Sequence, residues 1–232
     1  MTAFAFTFAG QPLLALPTGA LFWPDRRLLV VSDLHFGKSA RLARRGGVLL
    51  PPYETRATLD RLAADIANTQ PEQVICLGDS FDDLAAAEDI TAEDHARLTG
   101  LMAGRDWFWV EGNHDPGPLT LTGRQLPQMQ LGPLIFRHIA AEGGEAEISG
   151  HYHPKARLAG RAAPCFLLSN PQRMILPAYG AYTGGMDCAD PALAALMGPG
   201  ALAILTGRVA RAIPYPYAGS RSSRPRSSSL PR

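Results

Sequence analysis

Cysteine is scarce in this sequence, and its spacing excludes two classes of small stabilised domain. Only three of the 232 residues are cysteine, and no two of them form a C-x-x-C pair: Cys76, Cys165 and Cys188. Disulfide frameworks and thiolate zinc sites need more cysteines at closer spacing, so the pattern favours a reducing compartment. Hydrophobic residues make up 46% of the chain, which is enough for the core of one α/β domain.

Long apolar runs are also missing. The longest stretch, residues 192–205, is interrupted by Gly198-Pro199-Gly200 and falls short of the roughly 20 apolar residues that a membrane-spanning helix needs. The N-terminus has no positively charged region, and its apolar residues repeat with a period of two, which predicts a strand rather than a signal peptide. We therefore expect a cytoplasmic protein without membrane contact.

Charge is nearly balanced overall, with a net charge of +1, but it is unevenly distributed. No acidic residue follows Asp190, whereas six arginines do, so an acidic body suited to divalent cations precedes a basic end. From about residue 218 the chain is rich in Ser, Arg and Pro without apolar anchors. This composition predicts a single domain over residues 1–217 and a disordered tail over residues 218–232.

The first half of the chain alternates apolar runs with helical patterns. Three continuous apolar runs are typical of strands buried on both faces: Leu28–Val31, Gln73–Leu77 and Trp107–Val110. Apolar residues at helical spacing predict a helix over Thr55–Asn68, and a capping-box-like start at Thr91 predicts a second helix. After Gly132 strands and turns dominate, so the first half is predicted to be βαβ-like and the second mostly β.

Each predicted buried strand leads into a cluster of metal-ligand residue types. The clusters are Ser32-Asp33-Leu34-His35, Gly78-Asp79, Gly112-Asn113-His114-Asp115, His138 and Gly150-His151-Tyr152-His153. Five of the six histidines fall in these clusters, and ligand sites in α/β folds gather where strands end. His95 lies outside them, in the second predicted helix, and is interpreted as a solvated residue.

The spacing of two ligand pairs predicts shared contacts with one ion. Asp33 and His35 are two apart on a segment predicted to be extended, so both side chains should point to the same side. His151 and His153 have the same spacing. Oxygen and imidazole donors together suit Mn²⁺, Fe or Zn²⁺ better than Mg²⁺ or Ca²⁺. His138 has no motif of its own, and a histidine at the edge of the core is the alternative.

The series D-x-H, G-D, G-N-H-D, H and G-H-x-H resembles the calcineurin-like metallophosphoesterase superfamily, with all five blocks in order. The resemblance implies an α/β (α+β) fold, a four-layer αββα sandwich of two mixed sheets, with two divalent metal ions. One ion would be bound by Asp33, His35 and His153. The other would be bound by Asn113, His138 and His151. Asp79 would bridge both, and His114 would stand near the leaving-group oxygen.

Longer motifs are similar to the bacterial ligase-associated DNA damage response endonuclease family of the PdeM type. They are Ser32-Asp-Leu-His-Phe-Gly-Lys38, Leu77-Gly-Asp-Ser-Phe81, Gly150-His-Tyr-His-Pro-Lys155 and Leu176-Pro-Ala-Tyr-Gly-Ala-Tyr-Thr-Gly-Gly185. This resemblance implies a manganese-supported phosphodiesterase or nuclease, with a DNA ligase or helicase as repair partner. Relatives often carry histidine where this chain has Asp82. If this position assists the site, an aspartate there alters the metal preference, so the role of Asp82 is left open. The alternative is that Asp82 and Asp83 simply begin a helix, where carboxylates suit the helix dipole.

The implied mechanism uses two ions roughly 3.5–4 Å apart and a hydroxide that bridges them and attacks phosphorus. His114, oriented by Asp79 or Asp115, would protonate the departing oxygen. Five cations near the ligand clusters are candidates to hold flanking phosphates, with plain solvation as the alternative: Lys38, Arg41, Arg44, Arg45 and Lys155.

The balanced charge favours single strands, ends or damaged DNA over intact duplex. Two other functions compete with a nuclease. One is a phosphomonoesterase or nucleotide hydrolase with a small substrate, and the other is a non-catalytic binding module on the same fold.

Overall fold

The computed structural model describes residues 2–46, 50–117, 119, 121–143, 145–169, 171–198 and 200–215. The predicted tail over residues 218–232 lies outside them, as do the last two residues of the predicted domain. No helix in the described part of the chain is both long and apolar enough to cross a membrane.

Two sheets and five α-helices make up the described fold. The strands of the first sheet are β1 Phe4–Phe8, β2 Gln11–Ala15, β3 Leu21–Trp23, β4 Leu28–Val31, β5 Gln73–Leu77, β6 Asp106–Val110 and β7 Arg124–Leu126. The strands of the second are β8 Gln128–Leu131, β9 Leu134–Arg137, β10 Glu147–Ser149, β11 Pro154–Leu158, β12 Arg161–Ser169, β13 Arg173–Ile175, β14 Met186–Asp187, β15 Leu202–Leu205 and β16 Arg211–Pro214. The helices are α1 Lys38–Arg44, α2 Glu54–Thr69, α3 Leu84–Glu88, α4 Ala92–Met102 and α5 Pro191–Leu196.

The first sheet is mixed and runs in the order β1-β2-β3-β4-β5-β6-β7. Its first four strands are antiparallel, whereas β4, β5, β6 and β7 are parallel to one another. Val31 pairs with Cys76, and Leu77 pairs with Val110. The carboxyl ends of β4, β5 and β6 therefore meet at one edge, which brings the loops that follow them together.

The second sheet is also mixed, in the order β14-β11-β12-β13-β10-β9-β8, with β15 beside β12 and β16 beside β15. Strands β9 and β10 are parallel, so the residues after both strands lie at the same edge. The backbone N–H of Gly150 donates to the carbonyl of His138 at 3.0 Å. This bond joins the two loops that carry the later predicted ligands.

Alternating side chains of β4 pack on opposite faces of the first sheet. Leu28 and Val30 pack between the two sheets, together with Phe136, Ile148 and other residues of the second sheet. Leu29 and Val31, whose side chains point to the other face of the sheet, pack instead against the helices. The helix residues in that cluster are Leu59, Leu62 and Ile66 of α2 and Leu98 and Met102 of α4. Strands buried on both faces explain the continuous apolar runs of the sequence.

The outer face of the second sheet is covered by α5, where Leu193 packs against Cys165 and Ile175. Helices on both outer faces of two packed mixed sheets confirm the predicted αββα sandwich. The helix predicted over Thr55–Asn68 is α2, and the cap predicted at Thr91 accepts the backbone N–H of Asp94 at 3.1 Å. His95 on α4 is exposed, as expected of a solvated residue.

Candidate metal centre

The loops after β4 and β5 run side by side. The backbone N–H groups of Asp33, His35 and Phe36 donate to the carbonyls of Gly78, Asp79 and Ser80, at 3.2, 2.9 and 2.9 Å. These bonds hold the first two ligand clusters in fixed register, because each loop satisfies the backbone donors of the other.

The backbone at the predicted ligands is not extended. Asp33 has a φ of 54° and His35 a φ of 48°, both in the left-handed region. The prediction that their side chains share one side because the segment is extended is therefore wrong in its reason, although the two side chains do converge. The same holds for His151 and His153, with φ of 71° and 47°. Left-handed residues other than glycine are uncommon and concentrate at functional sites.

A first ligand group brings together Asp33, His35 and His153. Their ligand atoms all lie within 4.8 Å of one another. The Nε2 atoms of the two histidines are 3.4 Å apart, and His153 Nε2 is 3.1 Å from Asp33 Oδ1. Asp33 and His35 are buried, whereas His153 is partly exposed.

A second ligand group consists of Asp79, His138 and His151, whose ligand atoms also lie within 4.8 Å of one another. His138 Nε2 is 3.3 Å from Asp79 Oδ2, 3.2 Å from His151 Nδ1 and 3.0 Å from Asn113 Oδ1. His138 Nδ1 faces the carbonyl of Leu77 at 3.1 Å. His138 is thus tied to the site rather than being an isolated histidine at the edge of the core.

Asp33 connects the two groups. Its carboxylate accepts the backbone N–H of His151 at 3.0 Å, and its Oδ1 lies 4.0 Å from His138 Nδ1. Asp79 belongs to the second group, and its Oδ1 accepts the backbone N–H of His114 at 2.9 Å. All seven predicted ligands therefore lie in one connected region, while the bridging role of Asp79 stays a prediction.

The electrostatics of the two groups fit the binding of cations. Burial acts to raise the pKa of Asp33, but the hydrogen bond and charge of His153 outweigh it and lower that pKa. At Asp79 burial is likewise outweighed, mainly by His138, so the carboxyl pKa is lowered, whereas the pKa of His138 is raised. The close N···N contacts between imidazoles leave lone pairs facing one another, an arrangement that a cation between them satisfies.

Two glycines allow the loops to approach this closely. A Cβ on Gly78 would lie 2.2 Å from His138 Nδ1, and a Cβ on Gly150 would lie 1.8 Å from Ser32 Oγ. Gly78 also has a φ of +77°, a conformation that disfavours other residues. These two glycines therefore make room for the neighbouring side chains of His138 and Ser32.

His114 is held by backbone atoms. Its Nδ1 is 2.8 Å from the carbonyl oxygen of Asp82, and its Nε2 is 4.0 Å from Asp79 Oδ2. The side chain of Asp115 instead accepts the backbone N–H groups of Ser80, Phe81 and Gly112. The prediction that a carboxylate of Asp79 or Asp115 orients the ring is thus corrected, since the contact at hydrogen-bond distance is a backbone carbonyl. Burial, helped by the charge of Asp79, raises the pKa of Asp115 to about 6.

Asp82, whose role the sequence left open, lies beside the first ligand group. It is 1% exposed, with Oδ1 2.8 Å from His35 Nδ1 and Oδ2 2.8 Å from Arg41 Nη1. The ring N–H of His35 is not aligned with Oδ1, so this contact is electrostatic rather than a well-formed hydrogen bond. Burial opposes ionisation, but His35 and Arg41 outweigh it and lower the pKa of Asp82 to about 2.

The interpretation of the Asp82-Asp83 pair as a helix start is right for Asp83 only. Asp83 is the N-cap of α3 and accepts the backbone N–H of Ala86 at 2.8 Å, whereas Asp82 turns inward to His35. Two adjacent carboxylates do not reveal from sequence which of them faces the interior. The signal that existed was the position of Asp82, three residues after Asp79.

The predicted phosphate-binding cations differ in their surroundings. Arg41 binds Asp82, and Arg44 forms ion pairs with Asp83 and Asp89 at 2.7 Å each. Both arginines are thereby occupied by carboxylates. The other three predicted cations have no ion pair within the described residues: Lys38, Arg45 and Lys155.

Comparisons with known proteins agree with the metal-ligand geometry of the site. A family model described as calcineurin-like phosphoesterase matches residues 26–166. A solved structure, the nuclease MPE of Pseudomonas putida, is 30% identical to this chain, with a TM-score of 0.71. The match covers 91% of this chain and 100% of the Pseudomonas chain. Comparison with curated proteins gave no match.

Proposed function

Because the chain belongs to the calcineurin-like phosphoesterase family and is a metal-dependent phosphoesterase, we propose that it hydrolyses phosphodiester bonds, with DNA as its substrate. The observation that carries this proposal is the pair of ligand groups, one around Asp33 and one around Asp79, joined at the ends of strands from both sheets. Two adjacent cation sites suit the displacement of an oxygen at phosphorus.

The seven predicted ligands would hold two divalent ions. Asp33, His35 and His153 would hold the first. Asn113, His138 and His151 would hold the second, with Asp79 contributing to both. The mixture of carboxylate, amide and imidazole donors fits Mn²⁺ best, with Fe or Zn²⁺ as alternatives. When bound, such ions lower the pKa of a water molecule and neutralise negative charge on the phosphate oxygens.

His114 is the proposed proton donor to the leaving oxygen. Because its Nδ1 faces the Asp82 carbonyl, that nitrogen carries a proton, and Nε2 remains available for transfer. The Nε2 atom lies 4.0 Å from Asp79 Oδ2, on the side of the ligand groups. The side chain is 28% exposed, so solvent can return the proton after each cycle. Hydrolysis by this route needs no covalent intermediate on the protein.

DNA is proposed over a small phosphate ester on two grounds. A structure that matches nearly the whole chain is that of a nuclease, and the near-balanced charge suits single strands, ends or damaged sites more than intact duplex. A cytoplasmic role in DNA repair, beside a DNA ligase or helicase, is proposed from the motif resemblance. Lys38, Arg45 and Lys155 are the remaining candidates among the predicted cations for phosphate contacts.

The test compares bis-p-nitrophenyl phosphate with p-nitrophenyl phosphate in the presence of Mn²⁺, and then labelled single-stranded with duplex DNA. We expect faster turnover of the diester and cleavage of the single strand. His114→Ala should lower kcat while leaving the bound metal at the wild-type stoichiometry. Faster turnover of the monoester would favour a phosphatase, and no turnover of either ester in a metal-replete protein would favour a non-catalytic binding module.

A further inference from the structure

An open trough leads away from the second ligand group. It has a volume of about 410 Å³ and is lined in part by Asn113 and His138. Its remaining walls are formed by Glu111, Gly112, Pro116, Pro127, Gln128, Arg137 and Ile139. Volumes of roughly 300–1,000 Å³ are typical of small-molecule sites, so one nucleotide unit has room there beside the proposed metal ions.

Arg137 is the cationic residue that lines this trough, and its contact with a carboxylate of the protein is long. Its Nε is 3.6 Å from Glu147 Oε2, beyond hydrogen-bond distance, and is buried without a hydrogen-bond partner. Glu147 is already satisfied, because Oε1 accepts from Arg173 at 2.5 Å and Oε2 accepts from the backbone N–H of Ala141 at 3.1 Å. Arg137 thus differs from Arg41 and Arg44, whose guanidinium groups are held by carboxylates.

The other walls suit the neutral parts of a nucleotide. Ile139 follows His138 directly and is 44% exposed, so it presents an apolar surface next to the ligand group. Gln128 pairs with Arg137 across β8 and β9 and adds an amide that can both donate and accept. Glu111 lies on the side of the first sheet, where its carboxylate repels phosphate, so the anion is favoured at the Arg137 side.

We propose that this trough binds the nucleotide next to the scissile phosphate of a single strand, with its flanking phosphate at Arg137 and its sugar or base on Ile139. The inference rests on the proposed function and specifies its substrate as a polynucleotide rather than a small diester. A second cavity of about 400 Å³ lies beside Arg61 and Tyr182, but no predicted ligand lines it. The trough is therefore the cavity continuous with the proposed reaction centre.

The experiment measures binding of a labelled single-stranded oligodeoxynucleotide to Mn²⁺-loaded protein by fluorescence anisotropy over a range of salt concentrations. Every protein carries His114→Ala so that the strand is not consumed. Arg137→Gln should weaken binding about fivefold and reduce the slope of log K against log salt by roughly 0.7, the value for one phosphate contact on a single strand. Ile139→Ala should weaken binding about threefold without changing the slope, since it removes only apolar contact.

The matched control is Arg161→Gln, which removes the same charge from an exposed position on β12. It should leave both affinity and slope unchanged. Equal effects of Arg137→Gln and Arg161→Gln, or no effect of either trough substitution, would overturn the proposal. A melting temperature for each variant establishes that it is folded.

Failure of the proposed function is detected separately. With His114 restored, bis-p-nitrophenyl phosphate offers no flanking phosphate to Arg137, so Arg137→Gln should lower kcat/KM for a single-stranded oligodeoxynucleotide about fivefold more than for this ester, and Arg161→Gln should change neither value. If Arg137→Gln or Ile139→Ala abolished hydrolysis of bis-p-nitrophenyl phosphate, the metal centre would be damaged. That result would contradict the proposal that the trough is a subsite separate from the metal centre. Absence of hydrolysis of this ester in wild-type protein would reject the proposed function, whereas the binding measurements would still decide whether the trough holds a strand.

Discussion

The two ligand groups of the metal centre differ in how they are enclosed. In the group of Asp33, His35 and His153, two side chains are buried, and His35 is backed by the Asp82 carboxylate and then by Arg41. The second group likewise has two buried ligands and one that is partly exposed, but it extends to Asn113, which is exposed, and opens into the trough. If both groups bind an ion as proposed, we expect the first site to be held by charges behind its ligands and the second site to face the substrate.

The contrast has a physical cause in the strand order. Strand β4 lies in the interior of the first sheet, between β3 and β5, so the loop after it is covered by the loop after β5. Strand β9 lies next to the edge strand β8 of the second sheet, so the loop after β9 has solvent on one side. Enclosure strengthens electrostatic interactions because less water screens them. We therefore expect the first group to bind its ion more tightly than the second.

The largest effect is expected at Asp79, the ligand that both groups are proposed to share. Asp79→Ala should lower kcat by about a thousandfold or more, since removal of one preorganised charged group at a reaction centre already costs about 10²–10³. Elemental analysis should show that less than one metal ion per chain remains. Retention of two ions per chain would refute the proposed sharing of Asp79.

A smaller effect on metal binding is expected at Asp82, which lies behind His35 of the first group. Asp82→Asn should weaken binding of one metal ion by about 10–100-fold, the range for loss of a residue that orients a metal-bound histidine. Isothermal titration calorimetry with Mn²⁺ measures both sites. Asp83→Asn is the matched control, because Asp83 caps α3 and pairs with Arg44 without contacting His35. Equal losses in both variants would assign the effect to the general charge of the loop.

Substitution of Gly78, which packs against His138 of the second group, should destabilise that group alone. Gly78→Ala introduces a Cβ that collides with His138 at a φ of +77°, whereas Gly10→Ala has the same φ of +77° and open space around it. The shared backbone strain cancels, so we expect Gly78→Ala to be less stable than Gly10→Ala by about 1–3 kcal/mol, the usual cost of forcing extra atoms into a packed site. Urea denaturation with and without Mn²⁺ measures this difference. Equal stabilities would mean that the His138 loop adjusts freely.

The smallest effect concerns exchange of the two ions. Increasing chelator should remove one ion at about tenfold lower chelator concentration than the other, because the exposed Asn113 side leaves the second ion more accessible to water. Asn113→Ala should shift only the earlier step. Simultaneous loss of both ions in the wild-type protein would remove the proposed distinction between an enclosed and an open site.

Much of the fold could be predicted from local patterns. The strands over Leu28–Val31 and Gln73–Leu77 were located to the residue, because continuous apolar runs bounded by polar residues have few other solutions. The short strands β7, β8, β11 and β14 were not predicted, since β14 has only two residues and β11 ends in exposed residues. Their positions follow from pairing with neighbouring strands rather than from their own sequence.

Residue types and their order determined the family and the membership of the site. Five polar clusters, each placed after an apolar run, can converge only if those runs lie in the same sandwich, and the family match agrees with that reading. The sequence also determined that His114 and Asn113 come on one loop. Chemistry of this kind is encoded locally, because each cluster is contiguous and its donor atoms are fixed by residue type.

Only the tertiary structure decided which charged side chains support the ligands and which are weakly paired. Asp82 faces His35 while its neighbour Asp83 caps a helix, and Arg41 is occupied by Asp82 while Arg137 Nε lies 3.6 Å from Glu147 Oε2 without a hydrogen bond. These partners are far apart in the chain, so their contacts depend on strand order and loop packing. The free energy of a charged group depends on its neighbours in space, which a linear pattern of charges does not specify.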